Sequence, residues 1–269
     1  MILYGASGHA KVIIDTLELT NKRIDYIVDD NNAISDLLGY EVKRDSGTYD
    51  CAIISIGNSR IRKEKVETLK VNNWETAIHP SAIISRHAEI GEGTVVMANA
   101  VINSCANVGK HCIVNTSASL DHDVKVGNYV HIAPHAVVSG GVTIGEGSWI
   151  GVGACVKQGV KIGKWCMIGA GSVVVKDIPD GVVAYGNPCR VIKENPERVL
   201  KYKKGDIVRN IATGHLYRVE CPTEIHLIVD NVAVLSGHHF NCTPLDPNEQ
   251  GINADNTFSF NELALELVQ

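Results

Sequence analysis

The 269-residue sequence has no C-x-x-C pair, no apolar run near the ~20 residues that a membrane helix needs, and no massed stripe of basic residues. Each absence excludes a class. Eight cysteines without paired spacing are expected to be reduced thiols used as small buried residues, not disulfides or zinc ligands. Lys and Arg number 25 against 30 Asp and Glu, a formal net charge of −5, so nucleic acid is not an expected partner. The opening MILYGASGHA has a glycine turn by residue 5, unlike a signal peptide, so the expectation is a cytoplasmic chain without membrane insertion. What is present is apolar bulk: 45% of the residues are hydrophobic, enough to bury a core and to exclude disorder.

That apolar content is periodic. An aliphatic residue recurs at every sixth position from Ile78 through Ile84, Ile90 and Val96 to Val174, with none missing. Four places after each comes a small or β-branched residue, such as Ala100, Cys112, Ala136 or Cys166. Glycine follows the aliphatic at Gly91, Gly109, Gly127, Gly145 and Gly163, a slower beat of eighteen. A period of six matches neither a helix face nor alternating strands and predicts a parallel β-helix, three hexads to a coil and about five and a half coils in all. The aliphatics stack inside, the small residues turn the corners, and Cys112 and Cys166 are structural thiols. Flat parallel faces favour side-by-side association.

Ahead of the lattice, residues 2–4, 23–31 and 51–58 read as strands, with GASGHAK opening one helix and SRIRKEKVETLK forming another. This βαβ pattern predicts a small parallel sheet. Gly5, Ser7 and Gly8 at a helix start offer N–H groups to a phosphate. GASGHA lacks the G-x-G-x-x-G spacing, which disfavours a nicotinamide cofactor.

The hexad lattice, with YGNPCRVI at 185–192 closing it, resembles the left-handed β-helix of hexapeptide acyltransferases. YGASGHAKVI, VDDN and SIGNSRIRK, in that order, resemble the front domain of the bacterial nucleotide-amino-sugar acetyltransferases, typified by the bacillosamine-pathway enzyme and related to sialic acid O-acetyltransferases. The resemblance covers roughly residues 1–193. It implies a Rossmann-like domain over 1–75, a left-handed β-helix over 76–195, and homotrimers with acetyl-CoA held between neighbouring helices. It also implies that Ser7, Gly8 and His9 meet the diphosphate of a nucleotide sugar, Asp29, Asp30 and Asn31 its base and ribose, and that Gly57 and Asn58 complete the pocket.

Within the lattice, LDHDVKVGNYVHIAP carries His122 between two aspartates. Leu120 points inward, so Asp121, His122 and Asp123 take outward or corner places. A histidine beside a carboxylate can accept a proton near neutral pH, as acetyl transfer from a thioester to an amine requires. The resemblance makes His122 the general base and Asp123 the residue that raises its basicity, although either aspartate could contact the ring. It places His131 and the backbones of Val152 and Ala170 against acetyl-CoA. His111 and His135 read as ordinary surface histidines. A zinc site of His122, His131 and His135 would need convergence from different angular positions on the coil, which disfavours metal. A non-catalytic oligomerising rod is the other competing reading.

The resemblance implies N-acetylation of the 4-amino group of a UDP- or dTDP-linked 4-amino-4,6-dideoxy sugar, for surface glycan or glycoprotein synthesis, with sugar O-acetylation as the alternative. Residues 196–269 fall outside it. GDIVRNIATGHLYRVE and IHLIVDNVAVL predict a small β-rich extension, followed by the apolar-periodic NELALELV. His238, His239 and Cys242 lack further ligands for a metal.

Overall fold

A computed structural model describes residues 1–195, 207–210, 216–229, 232–244, 258–261 and 265–267. Residues 1–198 form one compact unit and 199–269 a second.

The first unit opens with β1 (Ile2–Tyr4), α1 (Gly8–Leu19), β2 (Tyr26–Val28), β3 (Asp36–Leu37), β4 (Tyr40–Lys43), β5 (Thr48–Ile54), α2 (Ser59–Thr68) and β6 (Lys70–Trp74). Their sheet runs β3-β4-β2-β1-β5-β6, and β1 pairs in parallel with both β2 and β5. The chain leaves β1 through α1 to one side and later returns on the other, so the order reverses above β1. Spacing alone explains α1: Ala10, Ile13, Ile14 and Leu17 share one buried face. The short hairpin β3–β4 and edge strand β6 are additions to the expected elements; their half-polar sequences YEVK and KVNNW carry little apolar signal.

The lattice folds as expected into a left-handed parallel β-helix of two-residue strands, each residue pairing with the one eighteen places on, as in Val95↔Ile113↔His131↔Trp149↔Met167. Three faces result. Face one holds the strands beginning at 77, 95, 113, 131, 149 and 167, face two those at 83, 101, 119, 137, 155 and 173, and face three those at 89, 107, 125, 143 and 161. Inward aliphatics from Val96 to Val174 form one core with the small residues beside them.

Those small residues do not turn the corners. Ala100, Ala118 and Ala136 are fully buried inside the shaft, and the turn belongs to the third residue after each aliphatic. Asn99, Cys105, His111, Ser117, Asp123, Tyr129, His135 and Trp165 all hold φ between 52° and 62° there. Left-handed backbone costs an L residue roughly 1–2 kcal/mol. The coil below over-determines it, because the N–H of Ser117 donates to Ala98 O and that of His135 to Thr116 O. The eighteen-residue glycine beat has a steric cause. A Cβ on Gly109 would lie 2.7 Å from the Gly127 carbonyl carbon, and one on Gly145 would lie 2.5 Å from the Lys164 nitrogen. At that corner successive coils touch backbone to backbone.

Cys112 and Cys166 lie inside the shaft, and burial pushes the Cys112 thiol up to about 12, so both are structural as expected. Strand 182–185 extends face one, and 190–194 returns antiparallel to it, so the YGNPCRVI segment closes the helix. In the second unit, strands 207–210, 216–229, 232–244, 258–261 and 265–267 form one five-stranded antiparallel sheet. The ATGH turn lies outside the described residues; His238, His239 and Cys242 fall in strand 232–244, where only the backbone is described.

A buried cation joins the sheet to the β-helix. Arg62 of α2 is 1% exposed and donates from Nη1 to the carbonyls of Ile56 and Gly57, from Nε to His111 O and from Nη2 to Tyr129 O, all at 2.7–2.8 Å. Burial lowers its pKa to about 10, so it stays charged at neutral pH with carbonyl dipoles as its counterpart. Charged hydrogen bonds are worth about 1.5–3 kcal/mol each, and an orphaned buried carbonyl costs a comparable amount. Arg62→Met keeps the bulk and removes all four donations. We expect it to lower unfolding stability by about 3 kcal/mol or more in urea melts; a loss below about 1 kcal/mol would refute the joint.

Candidate active site

The predicted pocket residues gather at the carboxyl ends of β1, β2 and β5, above the point where the strand order reverses. Gly5 turns the chain there at φ 113°, and a Cβ on it would meet the Ile56 side chain at 2.8 Å. Ser7 caps α1 with a hydroxyl that makes no capping bond, and Gly8 is open, with nothing within 4 Å of an added Cβ. An anion could therefore approach the N–H groups at the start of α1.

The acidic loop is less free than its sequence suggests. Asp29 accepts from the Ala6 N–H at 2.6 Å and the Asn31 N–H at 2.7 Å, so it braces the glycine turn. Asp30 accepts from Tyr4 Oη at 2.8 Å and pairs with Lys65 Nζ at 2.7 Å, and the Lys65 bond holds its carboxyl below the usual range. Asn31 takes the Ala33 N–H, while Asn58 caps α2 by accepting from Ile61. Lys65 and Tyr4 were not among the expected residues, because neither stands out in sequence.

Face one of the β-helix adjoins this group. His131 points outward from it, is 5% exposed, and lies 4.1 Å from Trp149 and 6.3 Å from His9 by ring centroids. Its Nε2 meets Asn115 Nδ2 at 3.1 Å, and the Gly57 backbone is near enough to the ring to oppose the lowering of its pKa. Burial lowers its pKa to about 3 and that of His9 to about 4, with Arg62 adding to both shifts. The structure thus brings His131 together with His9 and Gly57, not with His122. His111 corrects an expectation. It is buried, edge-on to Trp74 at 4.9 Å and stacked on Tyr129 at 5.5 Å, because its left-handed corner faces the sheet domain and not solvent. His135 is exposed as expected.

His122 stands at the corner between faces two and three, 54% exposed. Its Nδ1 lies 2.8 Å from Asp123 Oδ2. Asp121 instead accepts the His122 backbone N–H at 2.8 Å and the Asn103 amide at 3.0 Å, which settles which aspartate touches the ring. An ionised carboxylate only accepts, so Nδ1 carries the hydrogen and Nε2 presents its lone pair. The Asp123 bond first, and the Asp121 charge second, raise the His122 pKa. Asn103 sits one coil below Asp121, a link that only the eighteen-residue register makes visible.

The prism separates these groups. The corner of His122 is opposite face one, on which the sheet domain packs, while Val152 and Ala170 stack on successive coils at the corner between faces one and two. His122, His131 and His135 sit at three different angular positions, so they do not converge on one ion.

Residues 1–69 match the family model described as the PglD N-terminal domain, and residues 141–176 match the bacterial transferase hexapeptide repeats. Among curated proteins, UDP-N-acetylbacillosamine N-acetyltransferase of Bacillus subtilis is 50% identical over 48 residues, 17% of this chain and only 22% of that relative's length. Among solved structures, a variant of perosamine N-acetyltransferase from Caulobacter crescentus, in complex with CoA and GDP-perosamine, is 35% identical. That match covers 72% of this chain and 96% of the other, with a TM-score of 0.67. The acetyltransferase domain of PglB from Neisseria gonorrhoeae is also 35% identical over 71% of this chain and 98% of its own, with a TM-score of 0.66.

Three desolvated neutral histidines, His111 and His131 buried and His9 half-buried, make the fold acid-sensitive. The folded chain binds their protons only near pH 3–4, against 6.5 ordinarily, so the unfolded chain holds more protons between those limits and stability falls as pH drops through the window. The melting temperature is expected to decline steadily from pH 6.5 to 4. His111→Phe, which keeps a ring against Tyr129 without the titration, should make that decline shallower. A flat profile in the parent protein would contradict this.

Proposed function

Because this chain belongs to the nucleotide-amino-sugar N-acetyltransferases of the hexapeptide superfamily, we propose that it transfers acetyl from acetyl-CoA to the 4-amino group of a UDP- or dTDP-linked 4-amino-4,6-dideoxy sugar. The observation that carries this reading is the His122–Asp123 pair, with Nε2 presented at a β-helix corner. His122 Nε2 takes the proton that the amine sheds as its nitrogen bonds the thioester carbonyl carbon, and returns it to the departing CoA sulfur. Asp123 stabilises the imidazolium formed in between. No covalent enzyme intermediate is needed. The product would serve surface glycan or glycoprotein synthesis in the cytoplasm; among the described residues no helix is long and apolar enough to cross a membrane.

In this proposal Ser7, Gly8 and His9 receive the diphosphate at the start of α1, with Asp29, Asp30, Asn31, Gly57 and Asn58 shaping the rest of the pocket. His131 beside His9 and Gly57 supports a place in the inner wall, from which it would face the acetyl-CoA end of the site. Val152, 52% exposed, and Ala170 would take the pantetheine arm along their backbone edge.

One copy holds pocket and base on opposite sides of its prism, so the site is proposed to form between copies, in a homotrimer. The character of the faces supports this. Face one is covered by the sheet domain, through Ala77, Val95 and Ile113, and face three shows Glu89, Asn107, Lys125, Thr143 and Lys161. Face two leaves apolar side chains open, with Ile83 67% and Val137 43% exposed.

His122→Ala should lose about 10²- to 10⁴-fold in kcat while keeping the oligomer. Activity of the parent should fall as pH drops through the raised His122 pKa, since the base must be neutral. Asp123→Asn should move that limb to lower pH, as well as slowing turnover. Mixing His122→Ala with an inactive pocket variant such as Gly8→Trp, followed by subunit exchange, should restore activity if copies share the site. Normal turnover by His122→Ala would refute the base, and failure of every nucleotide-linked 4-amino sugar in a free-thiol assay would refute the substrate class.

A further inference from the structure

The second residue after each inward aliphatic is an outward corner position, and from Pro80 to Lys176 every one of these slots carries a side chain except one. The exception is Gly140, eighteen residues beyond His122 and thus directly on the next coil. Its φ lies outside the left-handed region, where Gly141, at 67°, makes the turn, so backbone conformation does not explain the glycine. Space does. A Cβ on Gly140 would fall 2.5 Å from both Cε1 and Nε2 of His122 and 3.1 Å from Cδ2.

Corner rings also pack on glycines elsewhere, there on turn glycines whose φ, 70° at Gly93 and 71° at Gly147, is itself left-handed. A Cβ on Gly93 would lie 2.1 Å from the His111 ring, and one on Gly147 would lie 2.3 Å from the Trp165 ring. At His122 the vacated volume adjoins the ring edge bearing Nε2, the nitrogen opposite the Asp123 bond.

We propose that Gly140 is a positioning residue for the transfer reaction. Its missing side chain lets the His122 ring lie under the neighbouring coil in the rotamer that bonds Asp123, and keeps Nε2 open to the amine. The inference rests on His122 being the base. The charged groups facing the ring are Asp123 and Asp121; the coil below offers Asn103 and Ser104, and the coil above Ser139, Gly140 and Gly141. An added methyl therefore meets no charge of its own. Because the ring is exposed, it can yield by swinging outward, which breaks the Asp123 bond and leaves the shaft intact.

The test compares Gly140→Ala, Gly141→Asn and His122→Ala in the full chain, with kcat and KM for both substrates, a pH profile, and NMR titration of labelled imidazoles. Gly141→Asn changes the same turn but places its Cβ in open space, and asparagine tolerates the left-handed backbone. For Gly140→Ala we expect a tenfold or greater fall in kcat with KM for acetyl-CoA within about twofold. The His122 titration midpoint and the acidic limb of the profile should both move to lower pH. Gly141→Asn should leave both in place. A folded Gly140→Ala with unchanged kcat and unchanged titration would overturn the proposal, even if His122→Ala is inactive. If Gly140→Ala does not fold, the vacancy is a packing requirement of the shaft and the proposal also fails. An active His122→Ala would instead sink the base assignment on which the proposal stands.

Discussion

The eighteen-residue repeat of backbone position is the constraint from which the rest follows. Every coil must lie one strand spacing, about 4.8 Å, from the next, and each residue must stand over its counterpart eighteen places away. That requirement accounts for the glycines at Gly91, Gly109, Gly127, Gly145 and Gly163, where no Cβ fits between coils. It accounts for the left-handed corners, whose strain is held by hydrogen bonds to the coil below. It also sets the chemistry: Asn103 under Asp121, Asp123 in a corner that aims its carboxylate at His122, and Gly140 above the ring are all consequences of stacking.

A triangular prism offers three faces and three corners, and this chain uses them differently. The sheet domain occupies face one and so buries His111 and His131. Arg62 holds that packing by supplying donors to carbonyls at the ends of both substructures, in a place where a neutral side chain would leave them dry. Charged and amide groups line face three. Face two remains apolar and open between the corner of His122 and that of Val152 and Ala170. The sheet domain and the His122–Asp123 pair thus stand on opposite flanks of one copy, which is why the proposed site is drawn from neighbouring copies.

Much of this was readable from the sequence, and the reasons differ by element. Hexads announce a β-helix because inward aliphatics are compulsory at each turn of the lattice, and α1 is announced by four apolar residues on one stripe. Edge strand β6 and the β3–β4 hairpin are not, since their side chains face solvent as much as core. The small lattice residues misled on the corners: they are small because the shaft interior is narrow, not because the chain turns there. Arg62 reads as one more charge on an amphipathic helix, and His111 as one more surface imidazole.

What the sequence by itself determined was therefore the periodic scaffold, the glycine turn of the front sheet and the pairing of an imidazole with an adjacent carboxylate, because these depend on residues close in the chain or repeated along it. Tertiary structure alone decided which aspartate meets the ring, which face the sheet domain covers, which histidines lose their water, and that the His122 ring lies in the space left by the glycine above it. Those outcomes depend on side-chain rotamers and on packing between substructures, which the hexad rhythm does not specify.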